Sequence, residues 1–296
     1  MQAAIDVLGY ERNEVASSLR TDRTSIIMLA IPDITNPFWP DVARGVQDHM
    51  DREGYAVVFA NSDWEGQRER AFLRMARRSR FDAVLINPIE VTNEDLLATH
   101  IPTVLIGSRE DYPDFDTVGS DSYGAITLAL DHLFSLGHRR IGLIRGRRQN
   151  RRGQSRLTGY LDFLKAKGIS PDERLIVETP FHQGGAQGMQ HLLALEERPT
   201  AVAAANDELA LGALQAAQTA GLQVPHDLSV VGLDDIYAAS TSTPALTTVS
   251  KPKYEIGQKA AEFLLDRIHG RAPAQSRRHI YPCQLLVRHS TASPRM

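Results

Sequence analysis

The side chains with the most chemistry to offer sit just past short apolar runs. Phe38–Trp39 follows IIMLAI after a short polar turn, Asn206–Asp207 follows AVAAA, and Asp234–Asp235 follows VVGL. An aromatic face packs well against the C–H face of a sugar ring; the same rings would equally serve to seal a helix onto a sheet. A carboxylate such as Asp234 can accept two charge-assisted hydrogen bonds from neighbouring hydroxyls. An asparagine such as Asn206 donates and accepts at once. Asp207 is placed either to join it or to cap the helix that follows. The stretch 139–156 holds eight arginines and no acid. Most of such a run is solvated surface, but Arg156 stands apart because it opens a helical pattern, RLTGY.

Positioning these groups requires alternating strands and helices. Apolar runs at Ile26–Ile31, Tyr55–Ala60, Ala83–Asn87, Thr103–Ile106, Arg140–Ile144, Ala201–Ala205 and Ser229–Gly232 show little alternation, as in strands covered on both faces. Helical patterns lie between them. Phe38, Val42, Val46 and Met50 recur every fourth residue, and others run over Gly66–Arg78, Ser122–Leu136, Arg156–Lys167, Gly185–Leu195, Glu208–Ala220 and Tyr254–His269. Gly168 and Gly221 sit where helix C-caps belong. Repeated strand–helix units imply an α/β protein with parallel sheets and helices on both faces. Ligands of such sheets bind beyond the C-terminal strand ends, where the groups above fall. A length of 296 residues favours two lobes over one.

Composition narrows the function classes. The net charge of −3 marks no general nucleic-acid binder. The single Cys283 cannot form an internal disulfide and reads as a small strand residue near the C-terminus. No apolar run spans a membrane, and the N-terminus lacks a basic region followed by an apolar stretch, so no secretory signal is read and a cytoplasmic location is expected. The phosphate-loop, dinucleotide, nucleophile-elbow and H-E-x-x-H patterns are absent. His132 and His138, six apart, do not share a helical face and read as surface or cap histidines rather than zinc ligands. No enzyme, metal or cofactor is expected.

The order of phrases along the chain resembles the lactose-repressor-type (LacI/GalR) transcription regulators. Ile31–Trp39 (IPDITNPFW), Ser135–Ile144 (SLGHRRIGLI), Arg156–Tyr160, Pro199–Leu214 (PTAVAAANDELALGAL), Val224–Ile236 (VPHDLSVVGLDDI), Thr243–Pro252 (TPALTTVSKP) and the closing strand Leu285–Thr291 follow in that family's order. The resemblance implies two doubly wound parallel-sheet lobes of the periplasmic-binding-protein type, joined by three crossings. The lobes would be 25–121 plus 251–280 and 122–250 plus 281–296, preceded by a headpiece remnant and hinge helix over 1–24. It implies a repressor whose core binds a small polar effector, a sugar or a sugar acid or phosphate, and thereby controls operator binding through a homodimer. A secreted sugar-binding receptor of a transport system is the alternative.

The resemblance also assigns roles. Asp234 matches the family's ligand-contacting acid and Arg156 its cleft arginine, where a guanidinium grips two oxygens together. Phe38, Trp39, Asn87, Ser108, Asn150, Arg152, Asn206 and Asp207 match cleft positions. Phe181 matches an aromatic lid, and Lys251, placed at the third crossing, reaches the ligand or only the linker. Gly107–Ser108 and Ser120 depart from the acids or arginine common in relatives. In the hinge, Asn13 would cap Glu14–Arg20, Ala16 would allow close approach to DNA, and Leu19 would wedge between base steps. The first two helices of a helix-turn-helix are not matched, so this chain alone is expected to show no sequence-specific operator binding.

Overall fold

The structure, a computed structural model, describes residues 23–107, 111–146, 154–180 and 184–295. The hinge residues Asn13, Ala16 and Leu19 and the cleft candidates Ser108, Asn150, Arg152 and Phe181 lie outside the described residues.

Strands β1 (Ile26–Ile31), β2 (Ala56–Asn61), β3 (Ala83–Ile86), β4 (Thr103–Ile106), β5 (Asp116–Ser120) and β11 (Arg278–Tyr281) form one sheet in the order β11-β5-β4-β3-β1-β2. Strands β6 (Ile141–Gly146), β7 (Ile176–Thr179), β8 (Ala201–Ala204), β9 (Ser229–Asp234), β10 (Thr247–Ser250) and β12 (Gln284–Leu286) form the second, β12-β10-β9-β8-β6-β7. The two orders are the same pattern used twice. All pairings are parallel except β10 with β12. The central strands IIMLAI, AVLI, TVLI and AVAA are buried almost throughout, which is why they read as continuous apolar runs.

The chain passes between the sheets three times: after β5, between β10 and the helix at Lys253, and between β11 and β12. Lys251 therefore lies at the second crossing in chain order, not the third.

Helices α1 (Phe38–Arg52), α2 (Gly66–Arg78) and α3 (Asn93–Leu97) belong to the first lobe, and α4 (Ser122–Ser135), α5 (Ser155–Ala166), α6 (Gly184–Leu193), α7 (Asp207–Thr219) and α8 (Tyr237–Thr241) to the second. Helix α9 (Lys253–Ile268) returns to the first lobe and lies against α1. In α1, Trp39, Val42, Val46 and Met50 form the buried stripe, while Phe38 stays half-exposed. The α1–α9 contact is drawn close by glycines on both sides. A Cβ on Gly45 would run into the Tyr254 carbonyl, and one on Gly257 into the Val42 carbonyl. The second lobe repeats the device where α6 meets α7, with Gly185 against Leu209.

The strands not anticipated from local pattern are short and carry polar residues: DTVGS, IVET, TTVS and RHIY. Their places are secured by long-range bonds. Asp116 on β5, with no exposed side-chain surface, accepts from Arg267 and Arg277 at 2.7 Å each and from the Arg277 backbone N–H at 2.7 Å. Burial pushes its carboxyl up, but these bonds outweigh burial and hold it below the usual carboxylate range. Of the two histidines six apart, His132 is half-buried in the last turn of α4, whereas His138 is not a surface group. His138 is buried and bonds Thr200, Ser229 and the Ala292 carbonyl, and His132 bonds Thr291, so both fasten the C-terminal segment to the second lobe. Among the described residues, no three His, Cys, Asp or Glu side chains gather as a metal site, and no helix is long and apolar enough to cross a membrane.

Gly257→Ala should cost ~1–3 kcal/mol by overpacking the α1–α9 seam, seen as a lower urea midpoint. Asp116→Asn should cost ~3–5 kcal/mol at neutral pH, because two arginines lose their shared partner. A carboxylate with a depressed folded-state value stabilises above its unfolded value, ~3.9, and that stability is lost as pH falls through the folded value. Acid titration of stability should therefore be shallower in Asp116→Asn than in the unsubstituted protein.

Candidate functional site

A doubly wound sheet places its ligand crevice where the strand order reverses, beyond the C-terminal strand ends. In the first sheet that point lies between β1 and β3, and in the second between β6 and β8. The segments leaving these strands face one another across the lobes and enclose a cleft of about 850 Å³, part of it open to solvent. From the first lobe come Asn36, Phe38 and Trp39 after β1, Trp64 after β2, Asn87 after β3 and Gly107 after β4. From the second come Ser155 and Arg156 at the start of α5, Asn206 after β8 and Asp234 at the end of β9. Lys251, on the second crossing, also lines it.

The aromatic pair divides the two roles open to it. Trp39 is buried in the first-lobe core, where it seals α1 to the sheet. Phe38 is half-buried, meets Trp39 edge-to-face at 5.1 Å, and has the Lys251 ammonium 5.6 Å from its ring centre. Both still line the cleft. The asparagines are held in orientation by backbone bonds. Asn36 Oδ1 accepts from Phe38 N–H at 2.9 Å, Asn87 Nδ2 donates to the Ile106 carbonyl at 2.6 Å, and Asn206 Oδ1 accepts from Leu209 N–H at 2.9 Å.

Asn206, not Asp207, is the N-cap of α7. Asp207 does not line the cleft. It is fully buried, with its carboxylate accepting from Thr248 Oγ1 at 2.5 Å and from Ile236 N–H at 2.9 Å. A Cβ on Gly232 would collide with this carboxylate, so the glycine on β9 makes room for it. Burial, then the charge of Asp234, pushes the Asp207 carboxyl up to about 7. Its work is to fasten β10 and the turn after β9, the two pieces that carry Lys251 and Asp234.

Asp234 adopts φ +122° and Asp235 φ +56°, backbone conformations costly for residues with a Cβ. The surroundings hold them there. Lys251 Nζ donates to Asp234 Oδ1 at 2.6 Å, with 2% and 5% of the two side chains exposed. Lys253 Nζ donates to the carbonyls of Asp234 at 2.9 Å and Asp235 at 2.8 Å, and Arg288 donates to Asp235 Oδ1 at 2.6 Å. Lys253, which sequence pattern does not single out, thus reaches from the first turn of α9 to the strand end of the other lobe. Burial lowers the proton affinity of Lys251, against the pull of Asp234.

Arg156 occupies the first turn of α5, whose N-terminus has no side-chain cap. Its Nε is shut off from solvent and has no hydrogen-bond partner among the described residues. Burial lowers its pKa, and Asp234 acts in the opposite sense. The guanidinium remains charged. Serines also line the cleft, at 120, 122 and 155; only the departure at Ser120 had a signal in the sequence.

Removing one partner of a buried ion pair strands the other, at ~3–5 kcal/mol, whereas replacing both with apolar residues is far milder. Lys251→Met should therefore destabilise strongly in urea unfolding, and Lys251→Met with Asp234→Leu should recover most of the loss. Additive losses in the double variant would show that the two side chains do not depend on each other.

A family model described as a periplasmic binding protein-like domain matches residues 130–291. The HTH-type transcriptional repressor CytR of Escherichia coli (strain K12) is 32% identical, over 98% of this chain and 86% of its own length. The HTH-type transcriptional repressor PurR of Pectobacterium carotovorum is 36% identical, over 90% of this chain and 80% of its own. A LacI family transcriptional regulator from Enterococcus faecium, solved with bound ribose, superposes with a TM-score of 0.81 at 31% identity, covering 90% of this chain and 99% of that one. Sequence likeness over nearly the whole chain and the shared two-lobe architecture agree: the protein belongs to the lactose-repressor (LacI) family of transcriptional repressors.

Proposed function

We propose that the cleft is the effector site, that it takes a small carbohydrate-like molecule, and that occupancy shifts the two lobes and so controls operator binding by a cytoplasmic homodimer. One observation carries this reading. Hydrogen-bonding and aromatic groups from both lobes converge on one cleft, and a charged pair at the crossing lies in its wall. A ligand bridging them would interact differently with open and closed arrangements, which is what a population shift requires. Asn36, Asn87, Asn206 and Asp234 supply donors and acceptors for hydroxyls, Phe38 an apolar face, and Arg156 a fork of donors. Asp207 acts as a positioning residue behind them. The related regulator that holds ribose supports the ligand class. The repressor relatives favour regulation over both transport and catalysis, and no chemical step is assigned to the cleft.

The chain has two tryptophans, and both line the cleft. Their emission should change saturably when a pentose, hexose or disaccharide from a panel binds. Asp234→Asn should weaken that ligand by about tenfold or more, the worth of a charge-assisted hydrogen bond. A sugar that binds without altering tryptophan emission and without loss in Asp234→Asn would place the effector site elsewhere.

A further inference from the structure

The arginines of α2 fall into two groups. Those near its start are matched by acids: Arg68 pairs with Asp63 and Glu65, and Arg70 lies 3.9 Å from Glu90 and 3.4 Å from Asp95. Those near its end are not. Arg74, Arg77 and Arg78 are exposed and make no ion pair among the described residues. Positions three and four apart share one side of a helix, so Arg74 stands beside the other two. A run of surface arginines is ordinarily just solvated, and cations in a last turn offset the helix dipole, but that end carries only roughly half a negative charge. Residues 74–82 hold four arginines and one acid, Asp82. The dipole and Asp82 together leave an excess of roughly two positive charges. Asp51 and Glu53 do not cancel it, since they end α1, which packs on the opposite face of the sheet.

The helix also keeps a charge where the fold elsewhere uses glycine. Helices α1, α4, α5, α7 and α9 are each followed, one residue past the cap, by a glycine at positive φ: Gly54, Gly137, Gly168, Gly221 and Gly270. The matching residue of α2 is the exposed Arg80, at φ +52°, with Phe81 N–H bonded back to the Ala76 carbonyl at 2.9 Å. A side chain with a Cβ is disfavoured in that conformation. Topology decides what this end of the helix faces. Helix α2 runs from the cleft end of β2 back to the start of β3, so its last turn lies at the end of the lobe away from the cleft. The chain enters β1 at the same place. Thr24 Oγ1 donates to the Arg80 carbonyl at 3.0 Å, Thr24 N–H to Asp82 Oδ1 at 2.9 Å and Ser25 N–H to Asp82 Oδ2 at 3.0 Å. The residues ahead of Arg23 therefore join the core beside the arginines.

We propose that the end of α2, with Arg74, Arg77 and Arg78 at its centre and Arg80 at its edge, is a second DNA-contacting surface, which meets the phosphates beside the operator and adds sequence-independent affinity from the core itself. The inference rests on the operator-binding reading and extends it from the N-terminal segment to the first lobe. Duplex DNA is the partner that fits. It carries one negative charge per ~1.7 Å of its axis, and the segment leading into β1 delivers it to this face. Guanidinium groups suit phosphate oxygens, which they grip with two donors together. The arginines read no bases, so their contribution is the same for every sequence and falls with salt.

Fluorescence anisotropy of a short labelled duplex of mixed sequence, titrated with the full chain over a series of salt concentrations, tests this. Each phosphate contact contributes a slope of about −0.9 in log affinity against log salt. The triple variant Arg74→Gln, Arg77→Gln, Arg78→Gln should therefore have a slope shallower by about two to three, and should bind at least about tenfold more weakly at low salt. Arg198→Gln, which removes an exposed charge from the second lobe, should change neither. Glutamine is a good helix former, and melting temperatures verify that the variants fold. Arg80→Gly should weaken binding while leaving the protein at least as stable in urea. An unchanged slope in the triple variant, an equal loss in Arg198→Gln, or no duplex binding even at low salt would overturn the proposal. So would poly-glutamate displacing the labelled duplex as readily as unlabelled duplex does, which would assign the face to an acidic protein. A saturable sugar response in tryptophan emission beside any of these results would leave the effector reading of the cleft standing.

Discussion

A lysine ammonium buried on a buried aspartate holds the centre of this molecule together. Lys251 belongs to the crossing between β10 and α9, Asp234 to the end of a strand in the second lobe, and the pair closes the wall of the cleft between them. Neither charge could stay in so dry a place alone. The strained backbone at Asp234 and Asp235 is tolerated because it is restrained from several directions: by Lys251 on the side chain, by Lys253 on two carbonyls, and by Arg288 on the adjacent carboxylate. Strain of this kind persists where the surroundings over-determine it, and it concentrates at sites that bind or switch.

Around that centre the chain repeats one architectural solution. Each lobe reverses its strand order at the same place, so each directs a crevice toward the other. Glycines bring helices into close contact in both lobes, at Gly45 and Gly257 in the first and Gly185 in the second. Tight seams hold the helices of each lobe to one another, and three crossings are the covalent links between the lobes. The first turn of α9 lies on one of those links. Lys253 there bonds the other lobe and stands 3.7 Å from Asp41 in its own, so one side chain joins the strand end of β9 to α1.

Much of the α/β framework was legible because its central strands are buried on both faces and its helices carry one apolar stripe, patterns that are local and survive in one dimension. The positions of Phe38 and Asn206 past strands and of Asp234 at a strand end were legible for the same reason, since ligand crevices in such sheets follow strand ends. The short strands rich in polar residues were not. Sequences such as DTVGS and TTVS become strands because distant residues bond them, as Arg267 and Arg277 do for Asp116. His138 likewise looks like any histidine near a helix end until Thr200, Ser229 and Ala292 gather around it.

The sequence by itself settled the fold class, the family and the strand ends at which the cleft would form, because these rest on hydrophobic periodicity and on motifs contiguous in the chain. Tertiary structure alone decided which polar groups face the cavity and which are spent holding it together. Asp207 and Asn206 are neighbours, yet one is consumed internally and the other lines the cleft. Lys251 and Asp234 are separated by 17 positions and become one neutral unit. Pairing of charges is a matter of distance in three dimensions and of exclusion of water, and neither quantity is written in the spacing of residues along the chain.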